Sequence, residues 1–183
     1  MRRLSGAVVV MLMLAGCTSG PGPPAPDAAS GNCPAAATGP PRVAVGGTPL
    51  PTVTLPCFVG GRSVELARLG RPTVINFWAS SCAPCRDELP ELQRFADEAQ
   101  DVVVVGVVTG DRRDAAESLI RDLGLTFPCV DDPDSTLLRA VGRNVLPVTL
   151  FVDSAGVVRY EDVSGALTFA KLRKLAVSEL DAT

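Results

Sequence analysis

Histidine is missing from this chain of 183 residues. Because histidine is the commonest general base and the commonest metal ligand, its absence excludes a Ser-His-Asp hydrolase and a His-ligated zinc enzyme. The sequence also lacks a positive excess, with a net charge of -3, so it carries no electrostatic signature of a nucleic-acid-binding protein. Its length and its 46% of hydrophobic residues suffice for one domain with a sizeable core.

The N-terminus has no apolar run long enough for a typical membrane-spanning helix, since Ala7–Leu14 covers only about two helical turns. This run follows a basic start, Met1-Arg2-Arg3, as in a secretory signal peptide. The quartet Leu14-Ala15-Gly16-Cys17 then resembles a bacterial lipobox, in which cleavage exposes a cysteine that is lipidated. We therefore expect residues 1–16 to be a signal peptide and Cys17 to carry an extracytoplasmic membrane anchor. The alternative is an ordinary signal peptide that contains a cysteine.

The composition divides the remaining chain in two. The start of the mature chain, to about Pro41, is rich in Pro, Gly, Ala and Ser, and such a stretch buries too little apolar surface to offset its ordering entropy. We expect residues 17–49 to be a tether and residues 50–183 to form the folded domain.

The pattern of the domain predicts alternating strands and helices. A β-hairpin is expected from two alternating runs on either side of Gly60-Gly61, and the later strands are apolar runs separated by amphipathic helices. The predicted strands are Thr52–Leu55, Ser63–Leu66, Thr73–Ala79, Val102–Val108, Phe127–Val130, Val148–Val152 and Val157–Glu161, and the predicted helices are 83–99, 115–123, Asp134–Val141 and Phe169–Leu180. This order argues for an α/β three-layer sandwich.

The chain contains six cysteines, two of which form the motif Cys82-Ala83-Pro84-Cys85 between a predicted buried strand and a helix. At that junction Cys82 lies near a helix N-terminus, where unpaired backbone N–H groups and the helix dipole favour a thiolate. Cys85 lies one turn later, close enough to form an intramolecular disulfide. We therefore expect Cys82 to be the attacking sulfur and Cys85 the resolving sulfur of a thiol–disulfide exchange.

Other uses of this motif are a zinc half-site, a structural disulfide and a haem attachment. A structural zinc site usually shows a second CxxC or a histidine pair, and neither is present. Haem attachment requires histidine after the second cysteine, where this chain has Arg86. Redox chemistry remains the favoured interpretation.

The stretch from Phe77 to Cys85, which includes Trp78, resembles the active site of the thioredoxin family. Leu146-Pro147, just before a predicted strand, occupies the place of that family's cis-proline loop. The resemblance implies that this loop lies against the CxxC motif and that Leu146 offers backbone hydrogen bonds to a client. Leu146 is bulkier than the Thr or Val often found there, and Ser81 replaces a frequent tryptophan, so the docking surface is expected to differ.

The resemblance is closer to the membrane-tethered TlpA/ResA/CcmG branch, which is related to the AhpC/TSA and redoxin proteins, than to thioredoxin itself. The similarity rests on the N-terminal hairpin, the run Cys85-Arg86-Asp87-Glu88-Leu89-Pro90, and the long separation between the CxxC motif and Pro147. It covers roughly residues 50–180 and implies a thioredoxin-like fold with a helix–strand insert at about residues 111–131.

Glu88 matches an acidic active-site residue of the ResA-type proteins, which implies a role in tuning thiol pKa values and shuttling protons. Glu88 and Cys85 stand at i+3 and i, and are therefore neighbours on a helix surface. The buried aspartate of thioredoxin is replaced by Asn76, which cannot titrate. The alternative is that Glu88 is an ordinary solvated helix charge.

Three cysteines remain: Cys33, Cys57 and Cys129. We favour a Cys33–Cys57 disulfide, which would tie the end of the tether to the domain. An additional cysteine pair before the CxxC motif also resembles that of some lipoprotein members of the branch. Cys57–Cys129 is the rival pairing, and the sequence alone does not choose between the possible pairings.

Three functions are compatible with these observations. The first is a reductase that acts on protein thiols and disulfides such as those of apocytochrome c and is recharged by a membrane donor of the CcdA/DsbD type, as the resemblance implies. The second is an oxidase of secreted proteins. The third is a copper-binding module, which the CxxC spacing and the lack of histidine disfavour. Ala83-Pro84 resembles the Gly-Pro of reducing thioredoxins, so we favour the reductase, with the Cys82–Cys85 disulfide as its redox group and no further cofactor.

Overall fold

The computed structural model describes residues 33–37 and 46–181. The predicted signal peptide, the lipidation candidate Cys17 and most of the predicted tether lie outside these residues. Within them, no helix is both long enough and apolar enough to cross a membrane.

The described residues form alternating strands and helices close to the predicted ones. The strands are β1 (Thr48–Pro49), β2 (Thr54–Pro56), β3 (Ser63–Glu65), β4 (Thr73–Trp78), β5 (Val103–Thr109), β6 (Cys129–Asp132), β7 (Val148–Val152) and β8 (Val157–Asp162). The helices are α1 (Ala83–Glu98), α2 (Arg113–Leu123), α3 (Thr136–Ala140) and α4 (Phe169–Leu180), with a short 3-10 turn at Leu66–Arg68.

The main sheet has the strand order β1-β8-β7-β4-β5-β6. Strands β4, β5 and β6 are parallel to one another, whereas β7 is antiparallel to β4 and β8 is antiparallel to β7. The edge strand β1 pairs antiparallel with β8. Strand β4 is buried at every position, which explains its almost continuous apolar sequence. The hairpin of β2 and β3 forms a separate two-stranded sheet.

Two hydrophobic cores cover the two faces of the sheet. One face packs against α1, α2 and α4, whose buried residues include Leu89, Ile120 and Leu172. The other packs against α3 and the β2–β3 hairpin, through residues such as Leu137 and Val64. The predicted α/β three-layer sandwich is therefore confirmed, and α2 with β6 forms the predicted insert.

Most element boundaries differ from the predicted ones by one or two residues, and two of these differences have a clear local cause. Strand β6 begins at Cys129 rather than Phe127, because Pro128 has no N–H to donate to a strand ladder. Helix α3 begins only at Thr136, because Ser135 takes a left-handed conformation (φ 51°) and the Asp132 carboxylate accepts from the Thr136 N–H at 2.6 Å. The edges of short elements are thus set by local hydrogen bonding.

The folded part of the chain also begins before residue 50. Thr48 and Pro49, which belong to the predicted tether, pair with Val158 and Val157 of β8. Further upstream, the Ala37 N–H donates to the Arg68 carbonyl at 3.0 Å. Parts of the predicted tether therefore contact the domain.

Candidate active site

The candidate site lies where β4 ends and α1 begins. The chain leaves Trp78 through a turn that the Cys82 N–H closes on the Ala79 carbonyl at 3.1 Å. Cys82 has extended backbone angles (φ -83°, ψ 108°) and is the N-cap of α1, and its Sγ accepts a hydrogen bond from the Cys85 N–H at 3.3 Å. Pro84 stands in the first turn, where a missing N–H is harmless. A sulfur therefore occupies the position that a capping oxygen takes in other helices.

Cys82 and Cys85 are joined by a disulfide, with their Cα atoms 5.3 Å apart. The two residues differ in access, because Cys85 is completely buried and Cys82 is partly exposed. Of the two residues, only Cys82 has surface that another protein could contact. This asymmetry matches the predicted division between an attacking and a resolving sulfur.

The register of β4 and β7 brings the Leu146-Pro147 loop to this junction. Phe77 pairs with Val148, so the next pair along the two strands joins Trp78 to Pro147. The Leu146–Pro147 peptide bond is cis. Pro147 is buried, Leu146 is half-buried against the same core cluster as Cys82, and Val145 is 54% exposed. The structure thus brings the predicted proline loop and the CxxC motif together.

Trp78 lies beneath the junction rather than on its surface. Its side chain is completely buried in the core cluster that contains Cys85 and Cys129. The indole N–H lies beside the Cys129 thiol but makes no hydrogen bond of good geometry. Trp78 is therefore part of the core that packs against Cys85.

Glu88 is buried beneath the site. One carboxylate oxygen accepts from the Asn76 amide at 2.7 Å, and the other accepts from the Leu167 N–H at 3.1 Å. Burial raises the pKa of the Glu88 carboxyl from 4.5 to about 7, although these two hydrogen bonds lower it, and the nearby charge of Asp162 raises it further. Glu88 is thus a titratable group in the core rather than a solvated helix charge.

Asn76 has a function that the sequence analysis missed. Its amide donates to both Glu88 and Thr149, at 2.7 and 3.0 Å. Thr149 pairs in register with Asp162, which binds Lys171 at 2.6 Å, so one polar row crosses the sheet beneath α1 and α4. The sequence does indicate a special position here, because Asn76 is the single polar residue in the apolar segment Val74–Trp78.

Asp111 is a second residue that the sequence analysis missed. Its carboxylate accepts from the Ser80 N–H at 2.5 Å and from the Ser80 hydroxyl at 3.0 Å. Ser80 lies inside the turn that leads to Cys82. Because the carboxyl ends of parallel strands meet at one sheet edge, an acidic residue just after β5 could have been expected beside the loop that follows β4.

The remaining cysteines fall on both faces of the sheet. Cys33 and Cys57 form a disulfide, with their Cα atoms 5.4 Å apart, and both are buried. Cys129 is a free thiol on the opposite face, and burial raises its pKa from 9.0 to about 12. The Cys129 thiol is therefore not a nucleophile at neutral pH.

Comparison with known proteins extends this description. Residues 47–161 match the model of the AhpC/TSA family. The sporulation thiol-disulfide oxidoreductase A of Bacillus subtilis is 27% identical over 68% of this chain and 78% of its own length. The thiol-disulfide oxidoreductase ResA of the same organism is 32% identical over 59% of this chain. The chain spans 62% of the length of ResA.

A solved structure shares the fold of the described domain. It is a DsbF homologue from Corynebacterium diphtheriae, which is 27% identical and superposes with a TM-score of 0.63 over 71% of this chain and 85% of its own. The thioredoxin-like fold and the resemblance to ResA-type oxidoreductases, both predicted from the sequence, are confirmed.

Proposed function

The chain belongs to the AhpC/TSA family, and from this membership and its half-exposed Cys82 sulfur we propose that it is a protein thiol–disulfide oxidoreductase that works as a reductase. The observation that carries the proposal is the cap of α1. There, the Cys85 N–H donates to the sulfur of the partly exposed Cys82, while Cys85 itself is buried.

The exchange begins with the reduced pair. The Cys82 thiolate attacks one sulfur of a client disulfide, which forms a mixed disulfide and releases the other client sulfur as a thiolate. Cys85 then loses its proton and attacks Cys82 Sγ, which forms the Cys82–Cys85 disulfide and releases the second client thiolate. Two electrons pass from the dithiol to the client.

Glu88 is the group we assign to the proton of Cys85. It is buried one helical turn after Cys85, and its pKa of about 7 lets it accept and return a proton near neutral pH. Asn76 and the Leu167 N–H hold the carboxylate in place. Glu88 would thus help to form the resolving thiolate in an otherwise apolar site.

The proline loop would bind the client. Leu146 and the exposed Val145 offer an apolar surface beside Cys82, and the Leu146 backbone would pair with an extended client segment. Suitable clients are protein disulfides, including those of apocytochrome c, and the returning electrons would come from a membrane donor of the CcdA/DsbD type.

We place this reaction outside the cytoplasm, on a membrane, with Cys17 as the lipidated residue. The basic and apolar N-terminus and the Leu14–Cys17 quartet support this placement. The Cys33–Cys57 disulfide supports it as well, because structural disulfides persist mainly in oxidising compartments.

Substitution of the two cysteines tests the exchange. Cys82→Ser is expected to abolish insulin reduction, whereas Cys85→Ser is expected to accumulate mixed disulfides with protein partners, because the resolving attack is lost. Cys129→Ala is the matched control, since it removes a buried free thiol and is expected to keep the activity. Full activity of Cys82→Ser would contradict the assignment of the attacking sulfur.

The direction of electron flow is tested by the reduction potential of Cys82–Cys85 against glutathione. A reductase is expected to lie near thioredoxin, at about -270 mV, and an oxidase near DsbA, at about -120 mV. A reduction potential near that of DsbA would favour the disulfide-forming oxidase over the reductase.

A further inference from the structure

The turn that leads to Cys82 is held by a carboxylate from a neighbouring loop. Residues 79–82 form a tight turn, closed by the Cys82 N–H on the Ala79 carbonyl. Inside it, both donors of Ser80 bind the two oxygens of Asp111, which lies 31 residues further along the chain. We propose that Asp111 is a positioning residue that fixes this turn and opposes formation of the Cys82 thiolate through its negative charge.

The geometric part of this proposal follows from the hydrogen bonds. Cys82 must present its sulfur to the first N–H groups of α1, and the Cys85 N–H reaches it at 3.3 Å. A turn with free central residues could rotate the sulfur away from these donors. The two-point contact of Asp111 with Ser80 restrains that rotation, since both the backbone and the side chain of one residue are held.

The electrostatic part follows from the charge of the same group. The guanidinium of Arg112 is directed to Asp114, with its Nε at 3.1 Å from the Asp114 carboxylate. Among the described residues, Asp111 accepts from the Arg112 backbone N–H at 2.8 Å and from Ser80, and it forms no ion pair. Other charged groups lie near this turn. Arg86 donates its backbone N–H to the Cys82 carbonyl, and Arg113, two residues after Asp111, pairs with Asp131 at 3.1 Å. The charge of Asp111 acts on Asp131, and Glu88 is buried further along α1.

A negative charge at this position makes the pair a stronger reductant. Reduction of the neutral Cys82–Cys85 disulfide takes two electrons and one proton and gives a Cys82 thiolate and a Cys85 thiol. Asp111 raises the free energy of the thiolate but not of the disulfide, so it shifts the equilibrium towards electron donation. The contribution of Asp111 to electron donation rests on the proposed reductase function, whereas its effect on the Cys82 thiolate does not.

The test removes the charge and keeps the shape. In a Cys85→Ser background, the rate of iodoacetamide reaction against pH reports the pKa of Cys82. Asp111→Asn is expected to lower that pKa by about half a unit, which gives roughly threefold more thiolate below the pKa. With both cysteines present, the equilibrium constant with glutathione is expected to shift about threefold towards the reduced protein. Asp111→Ser, whose side chain is neutral and smaller, is expected to shift the pKa of Cys82 and the glutathione equilibrium in the same directions as Asp111→Asn.

Two controls separate charge from shape. Asp134→Asn removes a charge from an exposed residue after β6 and is expected to leave the pKa of Cys82 unchanged. Ser80→Ala removes one hydrogen bond but keeps the charge, and is expected to change the pKa less than Asp111→Asn. The inference is overturned by an unchanged pKa in both folded Asp111 variants, or by an equal shift in Asp134→Asn.

The outcome is independent of client turnover. The pKa and the glutathione equilibrium are measured without a protein client, whereas insulin reduction by the wild-type chain tests the proposed function. A chain that fails to reduce insulin but shows the Asp111 shift keeps this inference and loses the proposed function.

Discussion

The residue with the largest electrostatic cost among the groups of the active site is Glu88. Its carboxyl is fully buried, and the pKa is raised from 4.5 to about 7 mainly because burial removes water from the charged form. The folded state therefore binds the Glu88 proton more tightly than the unfolded chain does. Ionisation of this group therefore weakens the fold.

Replacement of Glu88 tests this cost directly. As pH rises from 4.5 to 7, the wild-type carboxyl ionises in the unfolded chain before it ionises in the folded one, so stability falls by about 3 kcal/mol from this group. In Glu88→Gln this fall is expected to disappear. Urea unfolding of the oxidised proteins at several pH values between 4 and 8 measures the difference.

The glutamine amide can form hydrogen bonds in the place of the Glu88 carboxylate, so Glu88→Gln is a suitable variant to compare with the wild type. The Gln oxygen can accept from the Leu167 N–H. Its NH₂ can donate to the Asn76 Oδ1, which has no hydrogen-bond partner among the described residues, if the Asn76 amide turns over, because Asn76 Nδ2 faces Glu88 in the wild type. If the stability of the two proteins changes with pH in the same way, Glu88 does not titrate with a raised pKa in the folded protein. Glu88→Gln is also expected to change the pH profile of thiol alkylation, which tests the proposed catalytic role separately.

At the scale of elements, the site depends on how closely β4, β5 and β6 pack. Gly106 in β5 pairs with Asn76 on one side and Cys129 on the other. A Cβ on Gly106 would lie 2.8 Å from both the Cys129 sulfur and the Trp78 indole nitrogen. Glycine at this position therefore leaves the space into which the Trp78 side chain folds beneath Cys85.

Gly106→Ala is expected to destabilise the protein by about 1–3 kcal/mol, because the surrounding side chains cannot move apart without cost. It is also expected to shift the emission of Trp78, the only tryptophan of the chain. Guanidinium unfolding and fluorescence measure the two effects.

Gly124→Ala serves as the comparison for Gly106→Ala. Gly124 ends α2 with a φ of 63°, and a Cβ added to it would meet no atom within 4 Å, so its substitution costs about 1 kcal/mol through backbone strain alone. The emission of Trp78 is expected to stay unchanged in this variant. An unchanged emission in Gly106→Ala as well would show that Trp78 does not depend on this close approach.

At the scale of the whole molecule, the Cys33–Cys57 disulfide joins an upstream segment to the domain. The backbone of Cys57 pairs with Val130 of β6 in an isolated antiparallel β-bridge. The Arg62 guanidinium donates to the Cys33 carbonyl at 3.4 Å. The disulfide thus fixes where the segment before residue 38 meets the fold. The point at which a membrane tether would leave the domain is therefore Cys33 rather than residue 50.

Removal of this disulfide is expected to cost about 3 kcal/mol, as predicted for a cross-link with a sequence separation of 24. The double variant Cys33→Ser/Cys57→Ser tests this in guanidinium unfolding, with Cys82–Cys85 kept oxidised. Arg62→Ala, which removes only one long hydrogen bond, is expected to cost far less. A loss below about 1 kcal/mol in the double variant would mean that the cross-link does not restrain the unfolded chain.

Much of this protein was determined by the sequence itself. The strands, the helices and the placement of Cys82-Ala83-Pro84-Cys85 at a strand–helix junction follow from local periodicity and from capping, which act over a few residues. The family resemblance added the proline loop. The α/β sandwich was therefore predictable almost element by element, apart from ends such as those of β6 and α3.

Only the tertiary structure decided the environment of the chemistry. Four features show this: the burial of Glu88, its hydrogen bond with Asn76, the hydrogen bonds of Asp111 with Ser80, and the pairing of Cys33 with Cys57. Each depends on contacts between residues that are 12 to 79 positions apart. Local patterns show which face of a segment is apolar, but strand order and register determine which distant side chains meet. The two cysteines can thus be identified from a short motif, whereas the polar groups that surround them are brought together by the sheet.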